Sequence, residues 1–348
     1  MTGDLAVYVH WPFCAAICPY CDFNVHKDRG ADAVAWTRAL TAELQHWAAL
    51  TPGRRVASLY FGGGTPSLAP LSVIEAVIAA ADRLWGFADD PEITLEANPV
   101  DAARFAEFRG AGVNRLSLGV QSFDDAALKF LGRDHDGAGA RAALDAALVA
   151  FPRASADLIY ALPGQTLPQW TEELAAALAT GVRHLSLYQL TIEPGTAFDA
   201  QVAKGRWRPA DDGAAADLFD AAQQLTAAAG LPAYEISNHA APGHRAAEHL
   251  RAQHRAGQSR AEAQGEGAAQ HGPQGSLHPW KGSGKSRCSV RTLRCGLDPT
   301  RIMPATQRRS ASLDGGHSWT ASRSSPIPRR TWIRRRPPPR VSRSSPCS

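Results

Sequence analysis

Residues 5–24 read LAVYVHWPFCAAICPYCDFN. The run Leu5 to Trp11 has the aliphatic and aromatic content of a strand, and it leads directly into three cysteines, Cys14, Cys18 and Cys21, at positions i, i+4 and i+7. A helical segment near Asp32 to Leu50 follows, and the same alternation then recurs along the chain. VASLYFGG precedes a helix near Leu71 to Leu84, and EITLEANP precedes one near Asp101 to Arg109. RLSLGVQS, ASADLIYALP and HLSLYQLTIEP each precede a further Ala- and Leu-rich stretch. Successive strand and helix units imply a parallel sheet. The cysteines, Gly62 to Thr65, Glu96 with Asn98, and Gln121 all fall just after the apolar run of their strands, whereas Asp157 is read as opening its strand. Polar residues gathered at strand ends favour a full or partial barrel, whose active face lies there. A doubly wound open sheet competes, but FGGGTPS lacks the GxGxxG spacing of its usual fingerprint.

Charge divides the 348 residues in two. From Met1 to His244, 17 Lys and Arg stand against 28 Asp and Glu; from Arg245 onward, 20 stand against 5. The rear segment carries ten Leu, Ile or Val, three Trp and no Phe or Tyr, too little apolar surface to offset its chain entropy. We therefore expect an ordered domain over 1–243 and a largely disordered Arg/Ser/Pro-rich tail over 244–348. No apolar run reaches the roughly 18 residues of a membrane span. The start, MTGDLAVYVHWPF, has an early acid and no basic region before a long apolar core, so a soluble cytoplasmic protein is expected.

After Cys21 the next cysteine is Cys288, so the front half has three close thiols and no disulfide framework. Closely spaced thiols point to a metal. Zinc completed by His10 or His26 is one reading, and inert buried cysteines are another. A cubane iron-sulfur cluster with three protein ligands is a third, and its remaining iron stays open to a chelating ligand. The three glycines of SLYFGGGTPS let backbone amides approach a polar group, with Thr65 adding a hydroxyl, although such a segment is also an ordinary tight turn. Glu96, Gln121, Arg133 and Asp157 are each, singly, unremarked polar residues. Together at strand ends they could hold the ribose, amine and carboxylate of a nucleoside-like ligand.

These stretches resemble a known family. CAAICPYC is the CxxxCxxC signature of the radical SAM superfamily. YVHWPFC, CPYCDFN, YFGGGTPS, LGVQSFDD, LGRDH, DLIYALPGQT and YEISN are similar to the oxygen-independent coproporphyrinogen oxidase family, over about residues 5 to 243. The resemblance implies a partial (β/α)6 TIM-like barrel of the radical SAM type. It implies a [4Fe-4S] cluster on Cys14, Cys18 and Cys21, with S-adenosylmethionine chelating the open iron. It places Tyr8 near the cluster and Tyr20 inside the motif, sets Gly63, Gly64 and Thr65 against the methionine moiety, and puts Glu96, Gln121, Arg133 and Asp157 around the cofactor. Heme or a porphyrinogen is the implied further ligand, and a respiratory protein the implied heme recipient.

Within the family, Phe23 stands where the oxidases carry another cysteine, and Tyr20 where they carry Phe. These details favour the heme-chaperone branch over decarboxylation of coproporphyrinogen. Beyond YEISN the family pattern continues into His-Asn and Tyr-Trp, whereas HRAAEHLRAQHRAG stands here, so His249 is not equated with a heme ligand. A shifted reading frame near residues 243 to 250 is the explanation expected for the change in composition. A basic tail that neutralises nucleic-acid phosphates is the rival explanation, although it lacks the Phe and Tyr of stacking platforms.

Overall fold

The computed structural model describes residues 4–247. Strand β1 (Leu5–Trp11) buries Leu5, Val7, Val9 and Trp11 on one face, the period-two pattern of a half-covered strand. Two short strands, β2 (Phe13–Cys14) and β3 (His26–Lys27), pair in parallel and tie the cysteine loop at its base. Helix α1 (Ala33–Leu50) starts where the Asp32 carboxylate accepts the amides of Val34 and Ala35, and it buries Trp36, Leu40 and Leu44 at one-turn spacing. β4 (Val56–Gly63) leads to α2 (Leu71–Trp85), whose inner face is Val73, Ile74, Val77, Ala80 and Ala81.

β5 (Phe87–Ala97), α3 (Phe105–Gly110), β6 (Arg115–Gln121), α4 (Asp125–Phe130) and α5 (Gly137–Ala150) come next. β7 (Arg153–Tyr160) precedes α6 (Leu167–Ala179), which opens on a reciprocal Thr166 and Gln169 capping box. β8 (His184–Gln189), α7 (Ala197–Ala203), α8 (Asp212–Ala228) and the short strands β9 (Ala233–Glu235) and β10 (Asn238–Ala240) complete the described chain.

Strand order is β1-β4-β5-β6-β7-β8-β10-β9, and the first six are parallel neighbours in chain order. A doubly wound sheet would reverse direction at its first strand. Here the order of the six parallel strands never reverses, so the sheet curls one way into the expected partial barrel. Leu59, Leu95, Leu116, Ala156 and Leu185 of the strands join Ile74, Val77, Leu144 and Trp170 of the helices in one continuous core. Among the described residues, no helix is long and apolar enough to cross a membrane.

Three details depart from the sequence expectations. The segment Asp101 to Arg109 is not one helix: a 3-10 turn (Pro99–Arg104) passes into the short α3. Asp157 lies inside β7 rather than at its start, because the strand already begins at Arg153. Strands β10 and β9 add an antiparallel hairpin beyond β8, and Glu235 closes its turn by accepting from the Ser237 amide and the Asn238 side chain. Strands of three residues are too short to show a period.

The packed chain also continues past residue 243. Ala246 is fully buried, the Ala247 amide donates to Glu92 at 2.9 Å, and Arg153 pairs with Glu92 at 2.8 Å. The remaining Arg/Ser/Pro-rich tail, with His249, the frame-shift reading and the nucleic-acid reading, lies outside the described residues.

Candidate cofactor site

The cysteine loop is fastened at several points. The His26 amide donates to the Pro12 carbonyl at 2.7 Å and the Asp28 amide to the Cys14 carbonyl at 2.8 Å, closing the base. The Cys21 amide donates to the Cys18 carbonyl at 3.1 Å, forming the turn that carries both residues. On the far side of the barrel mouth, the Phe198 amide of α7 donates to the Pro19 carbonyl at 2.9 Å. There Tyr20 packs with Phe130, Phe198 and Trp207 in a second, smaller apolar cluster. The loop is thus pinned to both edges of the half-barrel and spans its mouth.

All three thiols are free, Cys14 buried and the other two half-buried. Burial pushes the Cys14 thiol up; Thr65 hydrogen bonding opposes this, while the nearby Cys18 adds to it. Burial likewise raises Cys21, with Cys18 and Cys14 adding to the effect after a hydrogen bond at Phe23 has opposed it. Holding Cys14 and Cys21 as thiolates calls for a positive counter-charge. Arg133 supplies part of it, its Nη1 donating to the Cys18 sulfur at 3.3 Å and its Nη2 to Asn98 Oδ1 at 2.5 Å. The Tyr20 hydroxyl, buried beside Cys18, is held well above its ordinary range by burial first and by that sulfur second.

Beneath the loop lies a cavity of about 360 Å³. Its wall follows from the strand period. Along β5 the residues Thr94, Glu96 and then Asn98 share one face; along β6 Arg115, Ser117, Gly119 and Gln121; along β7 Ser155, Asp157 and Ile159; along β8 Ser186 and Tyr188. The intervening residues face the helices and are apolar. Many of the polar set are themselves buried, including Thr94, Arg115, Ser117, Ser155 and Ser186, so the barrel interior is polar where its exterior is greasy.

Glu96 is the centre of this wall. Tyr60 donates to its Oε1 at 2.7 Å and the Gly63 amide to its Oε2 at 3.0 Å. Burial nonetheless pushes its carboxyl up to about 7, with Asp157 adding to the rise against these two hydrogen bonds. Asp157 accepts from Ser117 at 2.9 Å, and burial raises its carboxyl as well.

A pH prediction follows from Glu96. Its folded-state value lies above its ordinary one, so between about 4.5 and about 7 the folded chain binds more protons than the unfolded chain. Stability of the cofactor-free chain should therefore fall as pH rises through that window and level off above it. The contribution is at most about 3 kcal/mol, less to the extent that the cavity admits water. Urea midpoints at both ends of the window should differ less in Glu96→Gln than in the parent; equal slopes would refute the assignment.

The sequence-selected residues converge. Cys14, Cys18, Tyr20, Cys21, Gly63, Gly64, Thr65, Glu96, Gln121, Arg133 and Asp157 all line the cavity. Tyr8 does not. Its ring stacks on Tyr60 at 5.8 Å, behind Glu96, and its hydroxyl meets His10 Nδ1 at 3.3 Å. The glycine segment is also used differently from the expectation of open amides: Gly63 N–H serves Glu96, Gly64 N–H the Trp11 carbonyl and Thr65 N–H the Phe13 carbonyl. Tyr60, Ser117, Tyr188, Gln189 and Glu193 were not singled out from sequence. Alternation along each strand was the signal that could have found Tyr60, Ser117 and Tyr188.

The donor set fits an iron-sulfur cluster with an added ligand. The three thiols line a cavity with a buried arginine whose Nε has no hydrogen-bond partner among the described residues, and a Cβ on Gly64 would intrude to 3.0 Å from the Cys14 sulfur. Among the described residues, no group of three or more His, Cys, Asp or Glu is drawn together in the way a single ion requires. His10, a candidate zinc ligand, already bonds the Asn24 carbonyl through Nε2 at 2.8 Å.

A half-barrel with three loop cysteines above a polar cavity defines a radical SAM architecture, and residues 8–177 match the radical SAM superfamily. The chain belongs to that superfamily, within the group that holds the coproporphyrinogen oxidases and heme chaperones. It is 43% identical over 241 residues to the mitochondrial radical S-adenosyl methionine domain-containing protein 1 of Bos taurus, covering 68% of this chain and 54% of that one. It is 40% identical over 247 residues to heme chaperone HemW of Escherichia coli, covering 69% and 64%. The solved coproporphyrinogen III oxidase HemN of E. coli, a radical SAM enzyme, superposes with a TM-score of 0.61 at 27% identity, over 69% of this chain and 56% of that one. The chain thus spans between about half and two thirds of these relatives' lengths.

Proposed function

We propose that this chain holds a [4Fe-4S] cluster on Cys14, Cys18 and Cys21, binds S-adenosylmethionine in the adjoining cavity, and serves in heme binding and delivery. The supporting observation is the placement of three thiols, with no fourth cysteine among the described residues, over a cavity carrying Glu96, Gln121, Arg133 and Asp157. When bound, the cluster supplies an open iron and an electron for reductive chemistry at the sulfonium. The chain's own residues do the binding and orienting. Glu96 offers two carboxylate oxygens toward an ammonium group, held in place by Tyr60 and Gly63. Arg133, which lines the cavity, sets its positive charge against the thiolates. Asp157, fixed by Ser117, offers an acceptor for ribose hydroxyls.

Between the two branches of the group, Phe23 supports the chaperone reading. It occupies the position of the oxidases' extra cysteine and is 65% exposed at the cavity rim, with Ile17 exposed beside it. An apolar rim suits the face of a porphyrin better than another thiol would. One relative is named as mitochondrial and another comes from a bacterium, and for this chain we propose the cytoplasm.

Anaerobic reconstitution of the full chain with iron and sulfide, followed by S-adenosylmethionine binding and heme titration, tests the reading. The expected result is a coloured protein that binds both ligands. A colourless protein with stoichiometric zinc would overturn the cluster, and a cluster-loaded chain that decarboxylates coproporphyrinogen while ignoring heme would favour the oxidase.

A further inference from the structure

Among the described residues, two that are not glycine adopt a left-handed backbone: Gln121, φ 65°, and Ala161, φ 60°. Each stands at the C-terminal end of a barrel strand, Gln121 closing β6 and Ala161 immediately after β7. Such a conformation costs of order 1 kcal/mol at each residue and persists only where the surroundings impose it. One side chain grips both turns. Glu173 of α6 accepts through Oε1 from the Ser122 hydroxyl, in a short contact, and from the Phe123 amide at 2.8 Å. Its Oε2 accepts from Gln165 Nε2 at 3.5 Å, and Gln165 Oε1 accepts the Leu162 amide at 3.2 Å.

The symmetry of this arrangement is informative. On each side, the first residue held is the one directly after the left-handed residue: Ser122 after Gln121, Leu162 after Ala161. Ser122 is fully buried, and its hydroxyl also accepts the Asp124 amide at 3.0 Å, at the N-cap of α4. Gln121 lines the cavity, whereas Glu173 does not. Its carboxylate lies on the outer side of the strand ends, half-buried, and burial raises it against the Ser122 and Phe123 hydrogen bonds. A carboxylate kept there with no cation partner among the described residues needs a reason, because partial burial of an acid without a counter-charge is unfavourable.

We propose that Glu173 is a positioning residue for the cofactor cavity: it locks the turns after β6 and β7 as one unit and so fixes the left-handed backbone that presents Gln121 to the ligand. The nature of that ligand, S-adenosylmethionine, rests on the function proposed above. The locking itself does not.

Two variants separate the two arms. Glu173→Ala removes both. Glu173→Gln keeps a carbonyl oxygen for Ser122 and Phe123 but turns an NH2 group toward the Gln165 NH2, so it releases the Leu162 side alone. Hydrogen exchange on the full, cluster-free chain should show the Phe123 and Leu162 amides both speeding up in Glu173→Ala, and only Leu162 in Glu173→Gln. After reconstitution, Glu173→Ala should bind S-adenosylmethionine roughly tenfold more weakly, the scale of losing a charge-assisted hydrogen bond, with iron content unchanged.

A merely structural role would lower thermal stability and iron content together and leave the affinity of the loaded fraction alone. If Leu162 exchange stays at the parent rate in both variants, or if affinity is unchanged with both turns loosened, the proposal is wrong. If the parent itself binds no S-adenosylmethionine, the cofactor reading fails, and the exchange experiment still decides whether the turns are locked together.

Discussion

Replacing Cys18 by alanine should strip the reconstituted chain of its iron and its visible absorbance while leaving the fold in place. The two effects separate because the sulfur and the loop are held by different things. The loop backbone is fastened by the Pro12, Cys14 and Pro19 carbonyls, none of which depends on the Cys18 side chain. Cys18 is only half-buried, so its truncation to a methyl leaves no deep cavity, and the cofactor-free variant should unfold within about 1 kcal/mol of the parent. For the cluster the loss is far larger, since two thiolates remain where three are needed. Arg133 Nη1 loses its acceptor at the same time. Iron analysis, visible spectra and urea titrations read the two effects independently. A Cys18→Ala chain with a full complement of iron would remove the basis of the proposed function.

Much of this site was legible in the sequence because the chemistry is concentrated at strand ends. The apolar runs marked the six parallel strands, and the residues after them fell on one rim whatever the curvature of the sheet. Burial and direction were less legible. The segment LYFGGGTPS does not reveal that its amides are taken by Glu96, Trp11 and Phe13, because the partners lie on other strands and only the folded register brings them together. Tyr8 sits on the correct strand and face, yet the ring of Tyr60 on the neighbouring strand lies against it.

Glu173 was invisible for a different reason. In TEELAAALAT it has the look of an ordinary solvated helix acid, and its role arises from turns about 10 and 50 residues upstream that tertiary packing alone delivers. Sequence alternation does, in retrospect, announce the polar interior. Arg115, Ser117, Gly119 and Gln121 share a face, as do Ser155 and Asp157, and a barrel that binds a polar cofactor inside inverts the usual rule that the inner face is the apolar one.

Gly64→Ala should be among the most damaging single changes on the cavity wall outside the cysteines. Here the glycine is demanded by space. A Cβ at Gly64 would stand 2.7 Å from the Phe13 carbonyl oxygen, 2.9 Å from its carbon and 3.0 Å from the Cys14 sulfur. Two of those atoms are backbone and cannot rotate away. The chains cannot separate freely either, because the Gly64 amide donates to Trp11 at 2.7 Å and the Thr65 amide to Phe13 at 2.8 Å.

The added methyl must therefore break these bonds or push β2 outward, moving Cys14 with it. A cost of about 3 kcal/mol is expected from overpacking and lost hydrogen bonds together. Gly63→Ala should be at least as harmful, since its φ of 118° disfavours any Cβ and the new atom would meet the His10 ring at 2.5 Å. Gly110→Ala is the control: nothing lies within 4 Å and its backbone is helical, so alanine there should be neutral or slightly stabilising. Urea midpoints of the cofactor-free chains, with iron content after reconstitution, give the comparison. The Gly64 variant should lose both stability and iron, in contrast to Cys18→Ala, which loses iron alone. Parent-like stability in Gly64→Ala would mean that the cysteine loop is not packed against the end of β4, and the cavity would have to be redrawn.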